Sequence, residues 1–374
     1  MIRSYGFSIT GSSHEDKGTK CQDANKTREM ANGMVIAAVA DGVGSCKYSA
    51  IAAKFAVIVS TSFCKFNLHK LPNIDLLKLI EAAFMQAELA IEKKSLHDSQ
   101  PLSEYDTTLD LVIYDGKRIA YGHCGDGGII GLTVNGDYKK VTSPQKKEGI
   151  YVIPLRDGSR KKNNTWIFGT VEDELASVLL ATDGVYDTFF PYLLKGQPLE
   201  IYVPLIRYFM DNRGINVSKD TIERISEERK TFLNSKQCEK ITDDKTLLVL
   251  INEKVMPEQK DESYYAEPDW EALQLKWNKK AYPHLYEKKE DNSTDKESNE
   301  SGQKPKEEEF KKEIVKEKEE LSKEEKKPSS KFSLVKLFNI LGSGAEREKQ
   351  KEQSKQSGAT SEHSRESNNQ GSDK

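Results

Sequence analysis

Apolar residues are concentrated before about residue 252, and there they come as short runs, each bounded by Gly, Asp or Asn. Runs of that length and composition are strands, so the first two thirds of the chain must build sheets. Residues 34–40, 108–114, 118–124, 128–134, 177–182 and 246–251 are such runs, rich in Val, Ile, Leu or Ala. Two helical patterns separate the first strands. Residues 49–66 carry Ile51, Phe55, Ile58, Val59 and Phe63 at helical spacing, and residues 74–93 carry Leu77, Ile80, Phe84, Ala87 and Ile91. Two further helices are predicted over 199–211 and 219–233. Strands follow one another without a helix, and helices come in pairs. That order predicts layered sheets covered by helices, not a βαβ repeat.

Beyond residue 252 the chain changes character, and composition shows how much of it lies outside a core. Of 374 residues only 36% are hydrophobic and 31% are charged, with a mean hydropathy of -0.69. One uniform globule would hold roughly 45–50% apolar residues. The expected division is a domain over 1–252, an aromatic-containing extension over 253–286 and a charged low-complexity linker over 287–330. A short amphipathic helix over 331–342 and a disordered tail over 343–374 complete it. The extension keeps Tyr264, Tyr265, Trp270, Trp277, Tyr282 and Tyr286 but few aliphatics, as a docked extension or a binding segment would. The linker has 15 acidic and 12 basic residues among 44, which cannot bury enough apolar area to offset the entropy of ordering. The apolar island from Phe332 to Leu341 stops at Gly342. It reads as a helix that folds back on the globule, docks a protein partner or lies on a membrane surface.

The balance of charge, -3 overall, argues against a nucleic-acid partner. No run of about 18 apolar residues is present, so no transmembrane segment is expected. The start lacks the apolar core of a signal peptide. Five cysteines without a C-x-x-C pair read as reduced thiols, which predicts a cytoplasmic protein.

Aspartates recur directly after the apolar strands. Val39-Ala40 runs into Asp41-Gly42, Ala181-Thr182 into Asp183-Gly184, and Cys124-Gly125 into Asp126-Gly127. Asp243-Asp244 precedes the last strand, and Asp23 lies upstream. Any one Asp-Gly is an ordinary turn. As a set they are harder to explain, because acids gathered at converging strand ends repel unless a cation compensates them. Oxygen-only donors suit Mg²⁺ or Mn²⁺, and a dinuclear site is the economical arrangement.

The order and type of these motifs over about residues 4–252 resemble those of metal-dependent Ser/Thr protein phosphatases of type 2C. Cys21-Gln22-Asp23-Ala24 resembles the family's opening acidic motif. Val39-Ala40-Asp41-Gly42-Val43-Gly44 is similar to its second motif, and Asp106-Thr107-Thr108-Leu109 to the segment that opens a central strand. Gly125-Asp126 stands at the Gly-Asp-Ser-Arg motif. Ala181-Thr182-Asp183-Gly184-Val185-Tyr186-Asp187 resembles the Thr-Asp-Gly motif, and Asp243-Asp244-Lys245-Thr246 the closing Asp-Asn-x-Thr. The resemblance implies an α+β fold, a four-layer α-β-β-α sandwich with two antiparallel sheets. It implies that Asp41 bridges two Mn²⁺ or Mg²⁺ ions, with the Gly42 carbonyl on one. Asp183 and Asp243 complete one metal, and Asp23 holds waters of the cluster. Asp126 and Asp187, with Asp183, form a third metal site. Asp244 is a supporting group or a substitute for Asp243.

The departures are specific. Gly18 stands where many relatives carry an arginine that clamps the substrate phosphate. Lys17 and Lys20 flank it as point charges, without a bidentate fork. Val43 stands where some eukaryotic members carry a histidine. His14 and His123 could replace it, though one lies in a polar loop and the other inside an apolar strand. Gly127 and Gly128 replace the Ser and Arg after Asp126.

The implied activity is hydrolysis of phosphoserine and phosphothreonine on proteins by a dinuclear-metal-activated water, with an opposing Ser/Thr kinase as a further partner. The alternatives are a weak or inactive phosphatase-like module that binds a phosphoprotein or scaffolds a complex, and a hydrolase of small phosphoesters. Between Asp137 and Trp166 the chain is rich in lysine and arginine, including Lys139, Lys140, Lys146, Lys147, Arg156 and Lys162. This segment is either a basic surface that attracts phosphoproteins or an ordinary solvated loop.

Overall fold

A computed structural model describes residues 1–286 except 72, 160–161, 214–216 and 284–285. The charged linker over 287–330, the apolar helix over 331–342 and the tail over 343–374 lie outside the described residues. Met1–Pro268 is one compact unit, and the described residues from Asp269 on belong to a second.

The first unit opens with β1 (Ile2–Ile9), the turn α1 (Ser12–Glu15), β2 (Ala24–Glu29) and β3 (Val35–Ala40). Two long helices follow, α2 (Ser49–Lys70) and α3 (Leu76–His97). Next come β4 (Leu109–Tyr114), β5 (Ile119–Cys124), β6 (Gly128–Thr133) and β7 (Tyr138–Lys140). An excursion holds β8 (Lys146–Lys147), β9 (Tyr151–Val152) and the turn α4 (Leu155–Gly158). The chain then forms β10 (Ile167–Val171), β11 (Leu175–Ala181), α5 (Asp183–Phe189), α6 (Val203–Met210), α7 (Lys219–Leu233) and β12 (Lys245–Asn252). In the second unit α8 (Trp270–Ala281) is capped by Asp269, whose carboxylate accepts from the Ala272 amide at 3.0 Å.

Two five-stranded sheets result, in the orders β1-β12-β11-β6-β7 and β10-β5-β4-β3-β2. All their pairings are antiparallel. β3 shows how one strand serves two layers. Val35, Ala37 and Val39 join the core between the sheets, with Val112, Val178, Leu180, Leu248 and Leu250. Ile36, Ala38 and Ala40 face the other way, into a second core with Ala52, Ala53, Ala56, Leu79, Ile80 and Phe84 of α2 and α3. This is why β3 reads as a continuous apolar run and not an alternating one. On the far side, Tyr5 of β1 donates to the Phe209 carbonyl of α6 at 2.7 Å. The layers are α-β-β-α, as the sequence led us to expect.

α2 is long and apolar enough to cross a membrane. Its small residues Ala52, Ala53, Ala56 and Cys64 are instead buried in the helix–sheet core. Of the predicted helices, α7 has the expected bounds. α6 begins later, at Val203, where Pro204 occupies the first turn. β1, β2, β7, β8, β9 and β10 were not expected as strands. Residues 253–268 run along the first unit, where the Glu258 amide donates to the Val134 carbonyl at 2.8 Å and the Tyr138 amide to the Tyr264 hydroxyl at 3.0 Å.

Candidate metal centre

Antiparallel pairing brings the motif aspartates to one end of the sandwich. Ala24 pairs with Ala40, Val39 with Asp110, Gly128 with Ala181, and Ala181 with Leu247. The starts of β2, β4, β6 and β12 therefore meet the ends of β3, β5 and β11. Asp23, Asp41, Asp126, Asp183 and Asp243 all lie within two residues of those strand ends.

The turn that carries Asp41 is clasped from the start of β4. The Asp41 amide donates to Thr108 Oγ1 at 2.8 Å, and its carbonyl accepts from Thr107 Oγ1 and the Thr108 amide, both at 2.8 Å. Val43 donates to the Asp106 carbonyl at 3.0 Å. Gly42 fits because a Cβ there would stand 2.7 Å from the Ser49 carbonyl carbon and 2.8 Å from the Gln22 oxygen. At Gly184 a Cβ would collide with the Asp244 carbonyl at 2.2 Å, so only glycine lets α5 start this close to the base of β12.

One carboxylate oxygen from each of Asp41, Asp126 and Asp183 lies within 4.8 Å of the others. The electrostatics follow. Burial first, then the charges of Asp23 and Asp183, pushes Asp41 well above the usual carboxylate range. Burial, then Asp126 and Asp243, raises Asp183 to about 6. Asp23 rises to about 7, chiefly through burial, although Thr182 donates to its Oδ2 at 2.8 Å. Its Oδ1 is buried and has no partner. Asp187 stands at the exposed rim and is raised to about 6 by loss of hydration, then pulled back by Lys146 and raised again by Asp183. An all-oxygen set of crowded carboxylates with an orphaned buried oxygen fits a hard divalent cation.

Asp243 and Asp244 separate cleanly. Asp243 is exposed, and its charge acts on Asp183. Asp244 is buried and turns away as a clasp, accepting from the amides of Gly11 at 2.7 Å and Gln22 at 2.6 Å, with His14 Nδ1 2.9 Å from its Oδ1. His14 Nδ1 thus lies beside Asp244 without a hydrogen bond to it. His123 is fully buried, its Nδ1 2.6 Å from Asp110 and its Nε2 3.0 Å from the Ser143 carbonyl. Both ring nitrogens face acceptors. Burial opposes the imidazolium, but Asp110 and the Ser143 carbonyl outweigh it, and the pKa is raised. Lys17 and Lys20 lie on the exposed stretch after α1, and among the described residues neither forms an ion pair.

Sequence reasoning grouped the cations of the excursion over 137–166 as one basic segment. The structure pairs four of them with acids. Arg156 binds Asp106 through both Nε and Nη2, each at 2.7 Å. Lys162 pairs with Asp157 at 2.7 Å, Lys139 with Asp173 at 2.6 Å, and Lys146 approaches Asp126 at 3.5 Å. The roles of Asp106, Asp110 and Lys146 were missed. A charged Asp110 inside an otherwise apolar run was the one available signal.

Residues 10–213 match the protein phosphatase 2C family, and the chain belongs to that family. By class it is a protein serine/threonine phosphatase. No curated protein matches the sequence. Among solved structures, a bacterial serine phosphatase is 13% identical, with 70% of this chain and 100% of that one covered and a TM-score of 0.48. The Mycobacterium tuberculosis serine/threonine phosphatase PstP is 17% identical, with 67% and 98% covered and a TM-score of 0.46. Staphylococcus aureus Stp1 is 14% identical, with 67% and 95% covered and a TM-score of 0.44.

Proposed function

We propose that this protein hydrolyses phosphoserine and phosphothreonine on proteins with two Mn²⁺ or Mg²⁺ ions held at the strand-end aspartates. The observation that carries the reading is the convergence of Asp41, Asp126 and Asp183 within 4.8 Å, with burial first and neighbouring carboxylates next raising all three carboxyls. Asp41 would be shared by both ions, the Gly42 carbonyl would join one, and Asp183 and Asp243 would complete the other. When bound, such ions supply Lewis-acid activation of water and offset charge on the phosphoryl oxygens.

The chain's own groups do the rest. Thr107 and Thr108 fix the Asp41 backbone, so its carboxylate is aimed before any substrate arrives. The unpartnered Oδ1 of Asp23 can accept a hydrogen bond from a water of the cluster. Lys17 and Lys20, exposed and close in sequence to Asp23, are free to meet a phosphate as point charges. No cysteine is needed as a nucleophile, and all five are free thiols, four of them buried. Placement in the cytoplasm and an opposing Ser/Thr kinase follow from the same reading.

A second reading, a phosphatase-like module that recognises a phosphoprotein without cleaving it, is favoured by one observation. Arg156, an arginine close to the Asp41 turn, is committed to Asp106 through both of its fork positions. Phosphate release from a phosphothreonine peptide, with Mn²⁺ and with EDTA, decides. Metal-dependent release supports hydrolysis. Absence of release from protein shown to bind Mn²⁺ supports the recognition module and sinks the primary reading.

A further inference from the structure

We propose that the third cation at this site is supplied by the chain itself, as the Lys146 ammonium, and that Asp126 and Asp187 do not hold a third divalent ion. The inference rests on the dinuclear reading above and concerns only what stands beside it.

The first ground is geometric. Lys146 Nζ lies 3.5 Å from Asp126 Oδ2, on the carboxylate that also converges with Asp41 and Asp183. A divalent ion bridging Asp126 to Asp187 would have to share that carboxylate with a positive charge. Two cations competing for one partly buried carboxylate repel each other strongly.

The second ground is that the lysine is placed, not merely near. Gln145, the residue before it, is fixed to the segment leading into Asp126. Its amide donates to the Gly125 carbonyl at 2.7 Å, and its Oε1 accepts from the Gly125 amide at 3.2 Å. Its Nε2 donates to the Thr165 carbonyl at 2.6 Å, and its carbonyl accepts from the Ile153 amide at 3.2 Å. Two residues earlier, Ser143 is held by His123 at 3.0 Å. Lys146 therefore follows a residue tied to the strand end that presents Asp126, and its exposed side chain reaches that carboxylate.

The third ground is the sequence after Asp126. Gly127 and Gly128 bring no donor atom from a side chain, so Asp126 has no polar side chain beside it in sequence to help a third ion.

A fixed ammonium and a divalent ion differ in one testable respect, the number of ions bound. Equilibrium dialysis of the full chain against saturating Mn²⁺, with metal analysis, should give two ions per wild-type chain. Lys146→Ala should give three, because Asp126 and Asp187 are then open, while Lys146→Arg should stay at two. Thermal melting of each variant in EDTA checks that it is folded. Three ions in the wild type would overturn the inference and leave the dinuclear reading intact. Two ions in both the wild type and Lys146→Ala would also overturn it, since the lysine would not be what excludes the third. No bound ion in the wild type would overturn both, and is distinguished by that zero.

Discussion

Two groups of aspartates share one end of the sandwich and have opposite fates. Under the excursion after β7, Asp106 has its arginine and Asp110 its histidine, each buried carboxylate matched to a partner from the same chain. A few residues away, Asp23, Asp41 and Asp183 face one another, with burial and like charge lifting each carboxyl. The first group is complete within the protein. The second is stable only with protons or an added cation. A functional site here is recognised less by its acids than by the missing internal partner for them.

The largest expected effect tests the unmatched group. Asp41→Asn should lower metal-dependent phosphate release by about a thousandfold or more, equivalent to ~4 kcal/mol of transition-state stabilisation. The variant should melt no lower than wild type in EDTA, because one of the repelling charges is gone. Near-normal turnover would break the comparison at its centre.

Next comes the matched group. Arg156→Ala should destabilise the fold by about 2–3 kcal/mol in denaturant titration, somewhat less than a fully buried pair because the arginine keeps some solvent contact. Adding Asp106→Leu should recover part of that loss. A single variant with unchanged stability would show that Asp106 never needed its partner.

A pH experiment sharpens the contrast. The raised carboxyls of Asp23 (about 7) and Asp183 (about 6) bind protons in the folded chain that the unfolded chain has already released. The metal-free protein should therefore lose stability as pH rises from about 4, the unfolded carboxylate range, through 6 to 7. Mn²⁺ should reverse the trend and raise the melting temperature more at pH 8 than at pH 5. A metal-free melting temperature that climbs over this window would contradict the assigned shifts.

The smallest effect marks the outer limit. Lys139 and Asp173 form a short but half-exposed pair. Lys139→Ala should change stability by no more than about 0.5 kcal/mol. A larger loss would mean that the excursion depends on its rim as well as on its buried pairs.

Much of the fold was legible because most strands are buried on both faces and read as unbroken apolar runs. The strands that escaped have other signatures. β2 (Ala24–Glu29) is an edge strand with a polar sequence, and β10 (Ile167–Val171) closes the other edge of the same sheet with no fully buried residue. β1 did carry a pattern, with Tyr5, Phe7 and Ile9 buried at alternate positions, but its intervening Gly6 and Ser8 interrupt any apolar run. The acids were legible because each adjoins a strand. Their matching was not, since Arg156 lies 50 residues from Asp106 and Lys146 lies 20 from Asp126, and only tertiary closure joins them. Asp243 and Asp244 are adjacent and chemically alike, and only burial separates the exposed one from the clasp.

β12 (Lys245–Asn252) sits in its sheet between β1 and β11, and Asp244 at its base ties down Gly11 and Gln22. Among the described residues, the last strand in the chain is thus the one that joins the first strand to the rest of its sheet and fixes the approach to Asp23. The acidic cluster is therefore assembled across the full length of the first unit, and it is complete only when residues 243–252 have joined the strands made before them.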